Sequence, residues 1–452
     1  MYGENLRRIV CKKKKLTEIL DFGSLPVFEG VSTYPAIFLF NHIDSNTVNY
    51  KLARSKNDLN LHSIQNLPPL QIEYRNLSLK PWSFSAFDLV NFLKKKKIKY
   101  NSLSDIGKAY YGIVTGMDKA FIVDSSIINK YKLEKGIIYP FAYKGEEVKR
   151  YVHTNPQSYV IYPYKINNEG EQELFSPKTL KIEYPNIYEY LLSFKIDLEK
   201  RKDSRKLYAR GDNWFSHVRQ GNLGLISAKK IQIRGISNDI KCGYLDSGNA
   251  FSGANCPAII LNEEFSNLII MGIINSSLIN YYLKQVCPKK LGGYFRYNTK
   301  SISNIPIVYP KNRELFTSNI LQISDYFNTK EKIISKFNQF YTKTLSLVST
   351  TKKLQNWHEL EFGEFIKELN KAIKANNKVR AKQMAEGVIS SAVEISPLTK
   401  KDEFEWLDLF EENKQKAQDL QAQIIQTDKK IDAMVYELYG LTEEEIAIVE
   451  KA

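Results

Sequence analysis

Short apolar runs separated by turn residues occupy the first 50 positions of the chain. Leu16–Gly23 and Tyr34–Phe40 have the length and composition of β-strands, and they predict two strands joined by a loop. Two strands alone cannot bury a core. We therefore expect residues 1–50 to be the last strands of a domain that begins upstream. Residues 51–100 are polar and contain Pro68, Pro69 and Pro81, which predicts a linker with one short helix near residues 84–97.

Residues 101–310 carry a succession of short β-type runs. Tyr111–Val114 and Ala120–Val123 flank the turn-like segment 115–118, and together they predict a β-hairpin. The other runs predicted as strands are Tyr159–Tyr162, Leu225–Ile233, Ile240–Leu245 and Ala258–Leu261. An apolar, helix-like segment follows at residues 265–284, so we expect an α+β domain of a little over 200 residues.

After Pro310 the apolar positions recur every three or four residues. Phe316 to Val348 and Leu407 to Leu438 each carry one stripe of a long amphipathic helix. Two helices with single stripes pack most simply on each other, which predicts an antiparallel, coiled-coil-like pair. Gly440 marks the end of the second helix, and Thr442 with Glu445 forms a capping-box pair that opens a final short helix.

The charge is distributed unevenly along the 452 residues. The chain carries a formal +15, with 65 basic and 50 acidic residues. Residues 1–314 hold 46 basic and 28 acidic residues, a net of +18, whereas residues 315–452 hold a net of −3. The basic excess therefore lies in the first two thirds, which favours a polyanionic partner for that part and a different role for the tail.

Several classes of protein do not fit the sequence. The four cysteines include no CxxC pair, so neither a disulfide framework nor a thiolate zinc site is indicated. The most apolar stretch, Leu268–Leu283, is interrupted by polar residues and is too short for a membrane span. The N-terminus has no signal-peptide pattern. We expect a cytoplasmic protein.

Catalytic motifs are weak or incomplete. The five histidines show neither an HExxH motif nor close pairing, and no phosphate-binding glycine loop occurs. Glu147-Val148-Lys149 supplies the ExK of a nuclease, but no matching upstream PD precedes it. Asn155-Pro156-Gln157-Ser158 departs from the (N/D)PP(Y/F) loop of adenine-N6 methyltransferases at the second proline and at the aromatic residue that stacks on a flipped base. We expect no catalytic centre, no metal site and no cofactor in this chain.

Nucleic-acid binding is better supported. Basic residues lie beside glycine, asparagine and aromatic residues in predicted loops of the middle region. Lys and Arg neutralise phosphates, Arg pairs with guanine through two hydrogen bonds, and small residues let the backbone approach DNA. The segments with this composition are 144–151, 205–210, 216–220, 229–234 and 289–297.

One run of residues resembles a known family of domains. Tyr111-Gly112-Ile113-Val114-Thr115-Gly116-Met117-Asp118 and the following Lys119–Asp124 resemble the TaqI-like C-terminal specificity domain, the target-recognition domain of adenine-N6 DNA methyltransferases and type IIG restriction enzymes. The resemblance continues in order over residues 100–310. It includes Tyr139-Pro140-Phe141, Lys149-Arg150-Tyr151, Tyr159–Tyr162, Leu225–Ile231, Gly292–Tyr297 and Ile305–Ile307.

The resemblance implies a domain order and a set of contacts. Residues 1–50 would be a methyltransferase remnant, 51–100 a linker, 101–310 the target-recognition domain and 311–452 a helical spacer and docking region, giving an α+β fold overall. From the chemistry of the side chains, Lys229, Lys230, Lys289 and Lys290 are expected to contact phosphates, and Arg150, Arg234 and Arg296 the base edges. The residues predicted to bind DNA are Tyr111, Thr115, Lys119, Lys149, Arg150, Arg210, Arg219, Lys229, Lys230, Arg234, Lys289, Lys290, Tyr294 and Arg296.

We therefore interpret the chain as a sequence-specific, double-stranded DNA recognition polypeptide of a restriction–modification system. It would direct methylation by a methyltransferase domain or subunit supplied elsewhere, with S-adenosylmethionine, and Mg²⁺ where a nuclease is present, belonging to the complete enzyme. Two alternatives stay open: a complete methyltransferase or endonuclease with an unrecognised catalytic site, and a purely structural assembly protein. The sequence leaves open whether the chain is a fragment, a split-gene product or a specificity subunit.

Overall fold

The computed structural model describes residues 3–451, with the exception of positions 24, 30, 32, 54, 78, 80, 81, 83, 85, 86, 254 and 387–393. Positions 85 and 86, near the start of the helix predicted at 84–97, therefore lie outside the described residues. The chain divides into two units, one formed by residues 1–311 with 434–452 and one formed by residues 312–433.

The first unit begins with a helix, which is followed by a small four-stranded sheet. The strands are β1 Leu16–Asp21, β2 Ala36–Phe40, β3 Thr47–Leu52 and β4 Leu70–Glu73, in the order β2-β1-β3-β4. β1 and β2 are antiparallel, as the two predicted N-terminal strands require, and β3 lies parallel to β1. Val10, Leu16, Val48 and Tyr74 are among the residues of a core on this sheet, so it buries more than the two predicted strands could.

Residues 101–311 contain the other strands of the first unit. Their bounds are β5 Asn101–Ser102, β6 Gly107–Tyr110, β7 Ile122–Val123, β8 Ile138–Ala142, β9 Tyr159–Ile161, β10 Tyr164–Ile166, β11 Gln172–Leu174, β12 Lys202–Asp203, β13 Lys206–Leu207, β14 Lys230–Ile233, β15 Ile236–Ser237, β16 Cys242–Leu245, β17 Ala250–Phe251, β18 Ala258–Leu261, β19 Lys289–Lys290, β20 Tyr294–Arg296 and β21 Pro306–Ile307. Two four-stranded sheets, β16-β14-β18-β6 and β17-β8-β9-β7, and a three-stranded ribbon, β15-β20-β19, organise this part.

Short helices connect these strands. Their bounds are α1 Glu4–Lys13, α2 Leu61–Asn66, α3 Leu89–Lys95, α4 Leu103–Ile106, α5 Asp118–Phe121, α6 Ser125–Tyr131, α7 Pro177–Glu183, α8 Pro185–Leu192, α9 Lys195–Glu199, α10 Leu223–Ser227, α11 Asn267–Asn275, α12 Ser277–Val286 and α13 Thr299–Ser303. The predicted apolar helix at 265–284 thus forms two helices that meet at Ser276, whose side chain caps the second. None of the helices within the described residues is both long enough and apolar enough to span a bilayer.

Two strand predictions for this region are wrong. The segments 111–114 and 120–123 do not pair with each other, because residues 118–121 form α5 and β7 pairs with β9. Residues 223–227 form α10, so the strand predicted at 225–233 shortens to β14. In both cases tertiary contacts override a local preference for extended structure.

The second unit is helical. Its helices are α14 Arg313–Thr344, α15 Lys352–Gln355, α16 Phe362–Ala385 and α17 Lys400–Leu438, the last of which ends in the first unit. α14 and α17 are antiparallel, because Lys330 Nζ donates to Gln421 Oε1 at 2.7 Å while Phe337, further along α14, contacts Phe410, which precedes Gln421. The α+β class and the long helical pair are therefore confirmed.

An aromatic cluster stabilises this helical unit. Phe337 and Trp357 lie 4.3 Å apart between ring centroids, and Phe365 stacks on Phe410 at 4.8 Å. Phe365 belongs to α16, a helix that we did not predict although its positions 362, 365, 366, 369 and 373 repeat at helical spacing. The core of the unit is thus built from three long helices rather than two.

The C-terminal residues pack within the first unit. α17 ends at Leu438, before Gly440, and Thr442 caps α18 (Glu443–Glu450) in a capping box with Glu445, as predicted. The buried Tyr439 hydroxyl donates to Pro306 O at 2.7 Å and accepts from Val308 N at 3.2 Å. Tyr439 therefore ties the end of the chain to the strand that closes the middle region.

Replacing Tyr439 by phenylalanine should destabilise the first unit. The buried carbonyl of Pro306 and the amide of Val308 would each lose a partner, so we expect a cost of about 1–3 kcal/mol in the free energy of unfolding. Urea denaturation measures this. Tyr131→Phe is the matched control, because Tyr131 is 46% exposed and its change should stay within about 0.5 kcal/mol. Equal effects of the two changes would contradict the role of the Tyr439 hydroxyl.

Candidate nucleic-acid interface

The ribbon β15-β20-β19 brings three of the predicted residues together on one side, beside Ile236. Lys290 lies opposite Tyr294, and Arg296 lies opposite Ile236 in the antiparallel register. Opposed residues and residues two apart on a strand share a side of the sheet, so Ile236, Lys290, Tyr294 and Arg296 form one surface, which we name the ribbon face. All four are exposed, Ile236 by 45% and Tyr294 by 44%.

The opposite side of the ribbon faces the protein. Ser237 is buried there, Phe295 is half-buried, and Lys289, opposite Phe295, remains exposed. The turn that joins β19 to β20 contains Gly292 and Gly293 with φ values of 76° and 78°. Glycine adopts these angles without strain, so the hairpin is sharply closed and its side chains are held on the strands. The arrangement presents two cations, an aromatic ring and an aliphatic side chain on one surface.

A second group lies where β14 leads into the ribbon. Arg234 N donates to Lys241 O at 2.9 Å, and the Arg234 side chain is half-buried. Arg150 is tied to the fold, because its guanidinium donates to Asn275 O at 2.7 Å and lies 5.1 Å from the Tyr151 ring. Lys149, next to it, is exposed.

The third group surrounds the loop that follows β6. A Cβ on Gly112 would lie 2.0 Å from Phe251 O, so this loop approaches the neighbouring backbone in a way that only glycine permits. Val114 and Arg219 exchange two backbone hydrogen bonds, at 2.9 and 3.0 Å. Arg219 also forms an ion pair with Asp203 at 2.6 Å, and Tyr111 is 45% exposed. The loop thus sits beside the β12–β13 hairpin.

Arg201 holds this third group together. Its guanidinium is buried and donates to the carbonyls of Leu198, Thr115, Trp214 and Ser216 at 2.8–2.9 Å. Burial lowers its pKa from the ordinary value, while Tyr208 and Tyr164 act in the opposite direction. No sequence pattern pointed to this residue, because it stands in a run of charged residues that reads as solvated surface.

Two predicted contact residues are buried. Thr115 is 2% exposed and its hydroxyl donates to Asp118 Oδ1 at 2.5 Å, at the start of α5. Lys230 is fully buried, and its Nζ donates to the carbonyls of Ile226, Ala228 and Asp246. This burial contradicts the prediction that Lys230 contacts a DNA phosphate. The neighbouring Lys229 is exposed, because adjacent residues of an extended segment point to opposite sides.

The remaining predicted residues are exposed. Lys119 lies on α5, and Arg210 lines an open cavity of about 640 Å³ together with Ile196, Lys202 and Leu207. The structure therefore gathers Lys290, Tyr294 and Arg296 on one face, and places Tyr111 and Arg219 around a separate loop.

The weak nuclease motif has a structural role. Glu147 closes a capping box with Lys144 N, and Val148 is fully buried. Desolvation raises the pKa of the Glu147 carboxyl. Within the described residues, no three histidine, cysteine or carboxylate side chains cluster as metal ligands would.

Comparison with known families identifies two segments. Residues 206–307 match the TaqI-like C-terminal specificity domain, and residues 310–435 match a domain of unknown function (DUF8810). The predicted TaqI-like specificity domain is therefore confirmed over residues 206–307, which include the whole ribbon, whereas its predicted extension to residue 101 stays a prediction.

The relatives are type II restriction and modification enzymes. Type II restriction enzyme and methyltransferase RM.Eco57I of Escherichia coli is 26% identical over 380 residues, which cover 76% of this chain and 36% of that protein. Type II methyltransferase M.MjaIV of Methanocaldococcus jannaschii is 28% identical over 247 residues, which cover 51% of this chain and 72% of that protein. The chain thus spans about a third of the length of the first relative.

A solved structure is also similar. The type IIL restriction–modification enzyme MmeI, in complex with DNA, superposes with a TM-score of 0.43 and 15% identity over 90% of this chain and 46% of that chain.

Lys230 should make the stability of the first unit depend on pH. Burial lowers its pKa to about 8, below the value of 10.5 for a solvated lysine, so the unfolded chain binds this proton more tightly. Below pH 8 the buried lysine is charged, and the full cost of burying that charge lowers the free energy of unfolding. This cost disappears as the pH rises towards 10.5, because the unfolded chain then also loses the proton. We expect the free energy of unfolding of the wild type, relative to Lys230→Met, to rise across this window by on the order of 3 kcal/mol.

Urea denaturation of both proteins from pH 7.5 to 10.5 measures this difference. The comparison cancels the tyrosines and other groups that titrate in the same range. A constant difference between the two proteins over the window would show that Lys230 keeps an ordinary pKa.

Proposed function

We propose that this chain is the double-stranded DNA recognition part of a type II restriction–modification system, and that it directs adenine-N6 methylation by a methyltransferase domain outside these 452 residues. The observation that carries the proposal is the ribbon face, an exposed surface of Lys290, Tyr294, Arg296 and Ile236 inside the segment that matches the specificity-domain family. The relatives, whose names describe restriction enzymes and methyltransferases, support it.

The shape of the ribbon suits duplex DNA. The major groove is about 12 Å wide and admits a two-stranded β-ribbon. A ribbon closed by Gly292 and Gly293 carries its side chains on regular strands, so their spacing is fixed before DNA binds. Because the strands already fix the backbone, little backbone entropy is lost on binding, which favours a specific interface.

The two basic residues of the ribbon face suit two different kinds of contact. Lys290, a compact cation, is suited to a phosphate, and Arg296 can donate two parallel hydrogen bonds to guanine O6 and N7. Tyr294 and Ile236 supply apolar area that can pack against sugars or a thymine methyl group. The net +18 of residues 1–314 adds sequence-independent attraction, which brings the chain to DNA before the ribbon face reads bases.

The ribbon face gives a direct test. Lys290→Ala should weaken binding to every duplex and lower the slope of log affinity against log salt by about 0.9. Arg296→Ala should cost about 1–3 kcal/mol and act most strongly on preferred sequences. Fluorescence anisotropy with a pool of random-sequence duplexes, followed by sequencing of the bound fraction, measures both.

The control for the ribbon is Lys178→Ala, which removes an exposed lysine from α7. It should leave affinity and salt slope close to wild type. If Lys178→Ala weakened binding as much as Lys290→Ala, the attraction would be a property of net charge and the ribbon face would have no special role.

We propose further that β2 docks on the methyltransferase domain of the complete enzyme. All five residues of β2 are exposed, including Ile37, Phe38, Leu39 and Phe40 at 39–55%. β2 is the edge of its sheet, and an exposed apolar edge strand is a strong site for pairing with another strand. S-adenosylmethionine, and Mg²⁺ where a nuclease is present, would then be bound by that complete enzyme.

Leu39→Lys should abolish this docking, because a charge on an edge strand opposes the addition of a further strand. Sedimentation velocity of the chain mixed with the methyltransferase polypeptide of the same system measures the complex. Leu61→Lys, at an apolar position on α2 that is 80% exposed, is the control and should leave the complex intact. Equal loss in the two variants, or no complex with the wild type, would refute the docking proposal.

A further inference from the structure

The hairpin of β12 and β13 has an unusual turn. Lys202 pairs with Leu207 and Asp203 with Lys206, so the loop contains two residues, Ser204 and Arg205. Their φ values are 48° and 72°, both in the left-handed region that a type I′ turn requires. Such turns favour Asn-Gly, because other L-residues clash with their own backbone there. The chain therefore holds an arginine at a position where glycine would be less strained.

The base of this hairpin is firmly anchored. Arg201, immediately before β12, is the buried cation that binds four backbone carbonyls. Asp203 forms the 2.6 Å ion pair with Arg219, whose backbone pairs with Val114. The hairpin is thus fixed beside the loop that carries the exposed Tyr111, and its tip cannot relax by moving as a whole.

The tip is exposed and basic. Ser204, Arg205 and Lys206 are all exposed. Arg201 and Arg219 are engaged by carbonyls and by Asp203, whereas the guanidinium of Arg205 has no hydrogen bond or ion pair with the described part of the chain. A strained residue persists where the surrounding structure or the function requires it, and here the surrounding contacts hold the base of the hairpin rather than its tip.

We propose that Arg205 is a DNA contact, separate from the ribbon face, that the strained turn presents to the duplex. This inference rests on the proposed function. The planar guanidinium would donate two parallel N–H bonds to a pair of adjacent acceptors. Two such pairs exist on duplex DNA: the oxygens of a phosphate, and N7 with O6 of guanine. Because the contact residue lies in the turn itself, glycine cannot replace it without loss of the contact.

Arg205→Gly separates the effect of backbone strain from the effect on binding, because the melting temperature should rise while the affinity for DNA falls. Relief of the left-handed strain should raise the melting temperature of the full chain by about 1–2 °C. Loss of the guanidinium should lower affinity for duplex DNA about tenfold. Differential scanning fluorimetry and anisotropy with random-sequence duplexes at low salt give the two values.

Lys132→Gly is the matched control. Lys132 is an exposed lysine with φ of 52° at the end of α6, so this change also removes one positive charge and one left-handed side chain. It should raise the melting temperature in the same way and leave DNA affinity unchanged. Arg205→Lys should retain part of the affinity, because it keeps the charge but loses the second hydrogen bond.

The anisotropy measurement, repeated over a series of salt concentrations and followed by sequencing of the bound duplexes, distinguishes the two acceptors. A phosphate contact predicts a uniform loss across the sequenced pool and a salt slope reduced by about 0.9, whereas a guanine contact predicts a loss confined to enriched sequences with the slope unchanged. Either result supports the proposal. It would be overturned by unchanged affinity in Arg205→Gly, or by weaker binding together with a lower melting temperature, which would make the hairpin a structural element. Failure of the wild type to bind duplex DNA at low salt would instead refute the proposed function.

Discussion

The buried guanidinium of Arg201 is the constraint on which the arrangement of the loop around residues 111–119 depends. It is 7% exposed, and no carboxylate within the described residues pairs with it. A buried charge without a counterion is costly unless other dipoles replace water. Four carbonyls do so here, and the rings of Phe121 and Tyr208 lie 5.4 and 5.1 Å from the guanidinium carbon. One side chain therefore ties the residue 115 loop to the segments at 198 and 214–216, which are far apart in sequence.

Patterns within a short stretch of sequence predicted the elements that are formed by contacts within that stretch. The amphipathic stripes of α14 and α17, the Thr442–Glu445 capping box and the strands β1 and β2 depend on spacing and side-chain chemistry within a few residues. The predicted hairpin at 111–123 was wrong because Val114 pairs with Arg219 instead, a partner about 100 residues away that no local turn signal reveals. α16 was missed although its apolar spacing was visible, so that error was one of interpretation.

Charge in the candidate site is likewise not predictable from local sequence alone. Lysines at 229 and 230 are adjacent in sequence, yet the first is exposed and the second is buried and donates its ammonium protons to three backbone carbonyls. Composition counts both toward the +18, but only one of them can meet a phosphate. The basic residues of the middle region thus divide into those that build the fold, such as Arg201 and Lys230, and those such as Lys290 and Arg296 that remain free to bind. Only the strand register and the burial of each side chain separate the two groups.

The two basic hairpins differ in their turn residues, and the difference follows from where each proposed contact residue lies. In the ribbon, Lys290, Tyr294 and Arg296 stand on the strands, so the turn between them is free to use Gly292 and Gly293 without strain. In the β12–β13 hairpin the strands are two residues long, and Asp203 is already occupied by Arg219. A guanidinium contact at that tip comes from the turn, where a side chain requires a left-handed backbone at a conformational cost. A turn relieved by glycine would be more stable, but it would leave that hairpin with no guanidinium at its tip.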